Sequence, residues 1–262
     1  MNFKGLFGKF FKKSNECNGE ASSSGESFCV RLLDIYNDGI HKDRITVDMV
    51  PAIQEAADNG DGLAAYVMGK LCESGLEIEG ETIVEEDADA MFDYYRKGAE
   101  AGNKFAQGEY GIMLCNGWEG SSEHEDGDDE AGFPWIEKAG ENGNVLALHR
   151  MTYAYLDGSF SQFRDLDFAY RYFSAILAVK DKEGWKAEFF ERATGYVKYL
   201  PKIIRGDSKA MRALAKWLKE KEGGWEYSWG LGEKSTESEY WDERALCEED
   251  TYSVGNGLEM ED

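Results

Sequence analysis

No run of 18 apolar residues occurs in this 262-residue chain, so a membrane-spanning helix is not expected. The first 30 residues lack an apolar stretch followed by a small-residue cleavage site, and a secretory signal is not expected either. Histidine is scarce. Around His41, His124 and His149 no Ser/His/Asp or Cys/His arrangement can be assembled, which argues against an enzyme and against any cofactor or metal requirement. His124 stands in an acidic run, but the spacing of the surrounding Glu and Asp residues fits no EF-hand. Gly230-Leu-Gly-Glu-Lys-Ser-Thr236 has the composition of a phosphate loop, yet Glu233 rather than glycine precedes Lys234 and no apolar strand leads into it. The five cysteines (Cys17, Cys29, Cys72, Cys115 and Cys247) are unevenly spaced; Cys72 and Cys115, one per repeat, read as reduced thiols in or near a core, in keeping with a cytoplasmic chain.

Bases are missing where acids concentrate. Residues 77–89 and 119–130 each hold seven acids and no Lys or Arg, and residues 233–262 hold eleven acids against two bases. These stretches carry the whole net charge of −23, so the rest of the chain is neutral overall.

What the chain does have is a repeat. Gly60-Asp-Gly-Leu-Ala64, Gly102-Asn-Lys-Phe-Ala106 and Gly143-Asn-Val-Leu-Ala147 open segments that close fifteen residues later on Gly75, Gly117 and Gly158. The period of 42 and then 41 residues is that of stacked helical pairs, in which no unit buries its apolar face alone. Counted from the opening glycine, offsets 4, 8, 11 and 12 (Ala64, Met68, Leu71 and Cys72; Ala106, Tyr110, Met113 and Leu114; Ala147, Met151, Ala154 and Tyr155) share one helical face. Offset 9 is Gly69, Gly111 and Thr152, small enough for a neighbouring helix to approach. An earlier helix precedes each turn: Ala88, Met91, Phe92, Tyr95 and Ala99 form its stripe before Gly102, and a shorter equivalent carries Trp135 and Ala139 before Gly143. The opening glycine suits a left-handed helix end, with Asp61, Asn103 or Asn144 capping the next helix.

A further copy starts at Gly206-Asp-Ser-Lys-Ala210, with Leu214, Ala215, Trp217 and Leu218 at the matching offsets. Between the copies, the stripes Phe168, Tyr172, Ala175, Ile176, Val179 and Phe189, Phe190, Ala193, Val197, Leu200 predict a degenerate unit with a longer second helix, ended by Pro201. His149, at offset 6, lies off the core stripe and is expected to face solvent or a groove.

The strings Asp-Tyr-Tyr-Arg-Lys-Gly-Ala-Glu-Ala-Gly-Asn (93–103) and Trp-Ile-Glu-Lys-Ala (135–139), with the Gly-Asn turns and the Asn116-Gly117 and Asp157-Gly158 endings, resemble Sel1-like repeats. The similarity is good over 88–158, fair over 47–75 and weak over 165–221. The resemblance implies an all-α fold, an α-solenoid of stacked antiparallel helix pairs of the tetratricopeptide kind, whose members mediate protein–protein contacts. It carries over no catalytic residues, and the fold by itself does not set a function.

Three regions follow: an amphipathic segment and flexible linker (1–27), the repeat solenoid (28–221) and a flexible acidic aromatic tail (222–262). In the first, Phe3, Leu6, Phe7, Phe10 and Phe11 recur at helical spacing beside Lys4, Lys9, Lys12 and Lys13. Weak contact with a membrane surface and docking on the protein's own acidic edge are both open readings of it. In the tail, Trp225, Tyr227, Trp229, Tyr240 and Trp241 fit either a partner-binding segment or a cap over the last repeat. The internal acidic stretches join successive repeats and should emerge on one edge, at Glu85, Glu86, Asp87, Asp126, Asp128 and Asp129. Such an edge repels nucleic acid and steers a basic protein partner inward. The expected function is a non-catalytic adaptor or immunity-type inhibitor; a peripheral membrane regulator anchored by residues 3–13 is the alternative.

Overall fold

Four turns of identical hydrogen bonding organise the chain. Gly60, Gly102, Gly143 and Gly206 all have φ between 80° and 92°, the left-handed region open to glycine. In each, the residue after the glycine sends its amide to the carbonyl five residues back: Asp61 to Ala56, Asn103 to Gly98, Asn144 to Ala139, and Asp207 to Lys202. The glycine amide reaches three back, the paired pattern that closes a helix C-terminus. The same Asp or Asn side chain then caps the next helix. The Asp61 carboxylate accepts from the amides of Leu63 and Ala64 at 2.9 and 3.0 Å, and the Asn103 amide oxygen from Phe105 and Ala106 at 3.0 Å.

The computed structural model describes residues 29–117, 127–158, 163–225 and 236–257, with the backbone alone from residue 249. It divides into two compact units, Met1–Ala147 and Leu148–Asp262. In the first, short 3₁₀ turns and the two-residue strands β1 (Leu33–Asp34) and β2 (Gly39–Ile40) precede α1 (Met49–Asp58) and α2 (Gly62–Ser74). The antiparallel hairpin of β3 (Leu76–Ile78) and β4 (Glu81–Val84) leads to α3 (Ala88–Glu100), α4 (Lys104–Asn116) and α5 (Asp129–Glu141). Helix α6 (Val145–Asp157) begins in the first unit and carries on as the start of the second, which continues with α7 (Leu166–Ala178), α8 (Ala187–Ile203), α9 (Ser208–Glu222) and α10 (Glu237–Gly257). The framework is all-α, built from the consecutive antiparallel helix pairs of an α-solenoid.

The repeat columns form the cores. Ala64 and Ala106 are fully buried and Ala147 is 3% exposed, so the offset-4 alanines all sit in close helix contacts. A Cβ on Gly69 would lie 2.5 Å from the Tyr95 ring, and one on Gly111 2.8 Å from Ile136, which accounts for the small offset-9 column. Gly98 is its counterpart on the preceding helix, where a Cβ would meet Ala106 at 2.7 Å.

Several expectations are corrected. Helix α5 has thirteen residues, as α3 does, because Asp128 caps its start rather than a residue nearer Trp135. Helix α8 runs through Pro201 to Ile203; a proline in the last turn removes one amide without breaking the turns before it. Its buried stripe is Phe189, Arg192, Ala193, Tyr196 and Leu200, rotated from the apolar one because a buried Arg and Tyr replace Phe190 and Val197. For the C-terminal aromatics, which fit either a partner-binding segment or a cap over the last repeat, the described part from Glu237 is a helix with Trp241 and Ala245 fully buried. The linker and membrane-contact residues Phe3, Leu6, Phe7, Phe10 and Phe11 lie outside the described residues, as do His124 and the Gly230–Lys234 segment.

Candidate functional site: an acidic edge of the first unit

The first internal acidic stretch is folded. It leaves α2 through Gly75 (φ 58°), forms the β3–β4 hairpin and enters α3 at Asp87. Within it Glu77, Glu79, Glu81, Glu85 and Glu86 are all exposed. The base of the hairpin is pinned by a cation: the Lys42 ammonium donates to the last carbonyl of α2, Ser74, at 2.8 Å and to that of the capping Gly75 at 2.6 Å. A lysine there also meets the negative end of the helix dipole.

Of the six predicted edge residues, Glu85 and Glu86 face solvent with no structural task among the described contacts. Asp87 and Asp128 differ. Each caps a helix, Asp87 accepting from the Ala90 amide at 2.9 Å and Asp128 from the Ala131 amide at 3.0 Å. Each also sends its backbone amide to the offset-12 carbonyl of the preceding helix, Asp87 to Cys72 and Asp128 to Leu114. They therefore occupy the same position in successive repeats. Asp129 follows in the first turn of α5 and is half-buried. Asp126 lies outside the described residues. In the second unit Asp165 repeats the device, with its amide on the offset-12 carbonyl of Tyr155 and its carboxylate on the Asp167 and Phe168 amides.

This pinning was missed in the sequence because the inserts differ in length, which shifts Asp87, Asp128 and Asp165 out of register with the glycine columns. Counting backwards from each first helix would have revealed Asp at every N-cap.

In the same unit, the partly exposed Phe92 and Trp135 flank a buried Tyr110. Tyr110 of α4 meets Phe92 of α3 edge-on at 5.3 Å and Trp135 of α5 at 5.4 Å between ring centres, and the Lys138 ammonium lies 4.8 Å from the Trp135 ring. A partly exposed Trp so placed combines apolar area with a polar N–H suited to a protein surface. Deeper in, Lys70 bridges Glu109 at 2.7 Å and Glu73 at 3.1 Å. Burial alone would lower its ammonium, but the two carboxylates outweigh that and hold it above its ordinary value. Tyr95 donates to Glu73 at 2.8 Å, so this cluster is internally satisfied.

Among the described residues there is no group of three His, Cys, Asp or Glu side chains fit to hold a metal, and no helix long and apolar enough to cross a membrane. His149 is not in a groove. It is fully buried in the second unit, stacked on Tyr153 at 5.0 Å and tilted against Phe189 at 4.8 Å; burial first, then Arg192 and Arg150, push its pKa well below the usual 6.5.

The fold and its repeated columns define the class: a helix-pair repeat protein with turns of the Sel1-like pattern. No family model and no curated protein matches the chain. Among solved structures it is similar to a Sel1 repeat protein from Oxalobacter formigenes, at 21% identity and a TM-score of 0.44, covering 57% of this chain and 98% of that one. It is also similar to a protective antigen of uropathogenic Escherichia coli strains displaying an SLR fold, at 18% identity and a TM-score of 0.45 over 85% of this chain. The chain spans 46% of that antigen's length.

Proposed function

We propose that this chain is a non-catalytic protein-interaction scaffold, an intracellular adaptor or immunity-type inhibitor that captures a basic protein through the acidic edge and aromatic surface of its first unit. The observation that supports this most is that the hairpin stretch is ordered and pinned by Lys42 while presenting five exposed glutamates and no base. Held charges steer association without first having to be ordered. The partly exposed Phe92 and Trp135 would then supply contacts that slow dissociation.

The test uses substitutions that spare the caps. Glu77, Glu79, Glu81, Glu85 and Glu86, all changed to Gln, should leave folding unchanged while slowing association with a partner captured from the native cell. The wild-type on-rate should fall steeply as salt rises, and the variant's should be nearly flat. A partner whose on-rate ignores both salt and the five substitutions would reduce the edge to a solubilising surface.

A further inference from the structure

Helix α10 is held in the second unit by a buried indole and alanine together with a buried polar network. Of its described side chains, Trp241 and Ala245 are buried apolar contacts, Glu237 and Ser238 are buried polar ones, and Leu246 is 51% exposed. The Glu237 carboxylate receives the Arg192 guanidinium on one oxygen and the Tyr196 hydroxyl on the other. Arg192 is itself 1% exposed; it also donates to the Tyr153 hydroxyl at 3.3 Å and lies 4.1 Å from the centre of the Trp225 ring. The Trp241 indole N–H donates to the Tyr196 hydroxyl at 3.2 Å. Glu222, the last residue of α9, takes both the amide and the hydroxyl of Ser238, at 2.9 and 2.8 Å.

Helices α8 and α9 thus offer a cation, a hydroxyl and a carboxylate at fixed positions. They match an acid, a small hydroxyl residue beside it, and an indole and an alanine four and eight residues on, along one helical face. We propose that this face is a helix-binding site anchored by Arg192, that α10 is its resident ligand, and that a partner helix bearing the same acid-x-x-x-Trp face displaces α10.

Exchange requires an incoming helix that brings its own acid to Arg192 and its own indole to the Trp241 pocket. Burying an ion pair carries a desolvation cost that its attraction only offsets, so the Arg192–Glu237 pair contributes selectivity more than hold. Any helix with the same pattern can make the same bonds. This site is separate from the acidic edge and calls for an acidic, aromatic helix rather than a basic protein, so the two readings stand or fall independently.

The probe is a labelled peptide of residues 236–257, titrated into the full chain. In the wild type, α10 competes from an effective concentration on the order of millimolar, so the peptide should bind weakly. A full-length chain with Glu237→Ala and Trp241→Ala should bind it at least about tenfold more tightly, and adding Arg192→Met should remove that gain. A doubly substituted chain that keeps its helix content yet binds no better than wild type overturns the proposal, as does binding indifferent to Arg192. A dimer of the wild type that forms through exchanged α10 helices overturns the partner-helix version. Hydrogen exchange of the wild type decides independently of any variant's folding: α10 amides should exchange by an opening that leaves α8 and α9 protected. If all three exchange together, α10 is core and not ligand.

Discussion

At Gly69 the helix propensity of alanine and the space available to it point in opposite directions. Alanine gains about 1 kcal/mol over glycine in a helix interior. Its Cβ would stand 2.5 and 2.6 Å from two carbons of the Tyr95 ring, an overpacking that costs about 1–3 kcal/mol. Tyr95 is buried and its hydroxyl is held by Glu73, so the ring has little freedom to retreat. Gly69→Ala should therefore lower the urea midpoint of the first unit; a rise would show that propensity wins. His149 poses a pH question. Its folded pKa is depressed, so it stays neutral in the fold and takes a proton more readily in the unfolded chain. Its contribution is complete above 6.5 and is lost as pH falls from 6.5 toward the folded value, at about 1.4 kcal/mol per unit. Glu237 acts in the other direction: burial raises its pKa above 4.5, so its burial is tolerated best at low pH. His149→Phe should flatten the acid-side slope between pH 6.5 and 5.5, measured by chemical denaturation, since Tyr153, Phe173 and Phe189 already form an aromatic pocket around it. An unchanged slope would mean that other groups carry it.

Among the elements, the helix starts distinguish structural acids from surface ones. Asp87 caps α3 and Asp128 caps α5, whereas Glu85 and Glu86, two residues and one residue before Asp87, face water. Asp87→Ala or Asp128→Ala should destabilise by about 1 kcal/mol, and Glu85→Ala by less than about 0.5 kcal/mol. Equal effects in thermal melts would deny the capping role. Asn144 carries two tasks at once: its side-chain oxygen accepts from the Ala147 amide at 3.1 Å while its nitrogen donates to the Lys104 carbonyl at 3.0 Å. Asn144→Asp keeps the cap but loses the donor, placing a charge against a carbonyl at a residue only 4% exposed. It should cost about 1–3 kcal/mol, more than Asn103→Asp at the equivalent turn, where the side chain makes only the cap among the described bonds.

For the whole molecule, charge works against compaction. A net −23 confined to a few stretches repels itself, and salt relieves the repulsion as the Debye length drops from about 30 Å at 0.01 M to about 8 Å at 0.15 M. The melting temperature should rise over that range, and the hairpin variant with five Glu→Gln changes should show a smaller rise. A fall with salt would mean that surface attractions, such as Lys97 with Asp58 at 3.2 Å, outweigh the repulsion.

Sequence alone determined the parts that depend on local chemistry. A helix-ending glycine at positive φ followed by Asp or Asn makes the same turn at Gly60, Gly102, Gly143 and Gly206, so the four turns, the helix pairs and the buried alanines were legible from spacing. The offset-9 glycines were legible as sites of close approach, though not the rings and carbonyls they approach. Tertiary structure decided what depends on partners distant in sequence. Nothing local marks Arg192 or His149 as buried; Arg192 is inside because Glu237, 45 residues on, arrives to neutralise it. The hairpin in the first acidic stretch did leave a local trace, the alternation Leu76-Glu-Ile-Glu79 before Gly80 and the β-branched Thr82-Ile-Val84. But the run is short and crowded with acids, and the bonds that hold its base come from Lys42, 32 and 33 residues away from Ser74 and Gly75. The fate of α10 was settled the same way, since a helix with so few apolar positions has no stripe to read until the polar groups that receive it are in place.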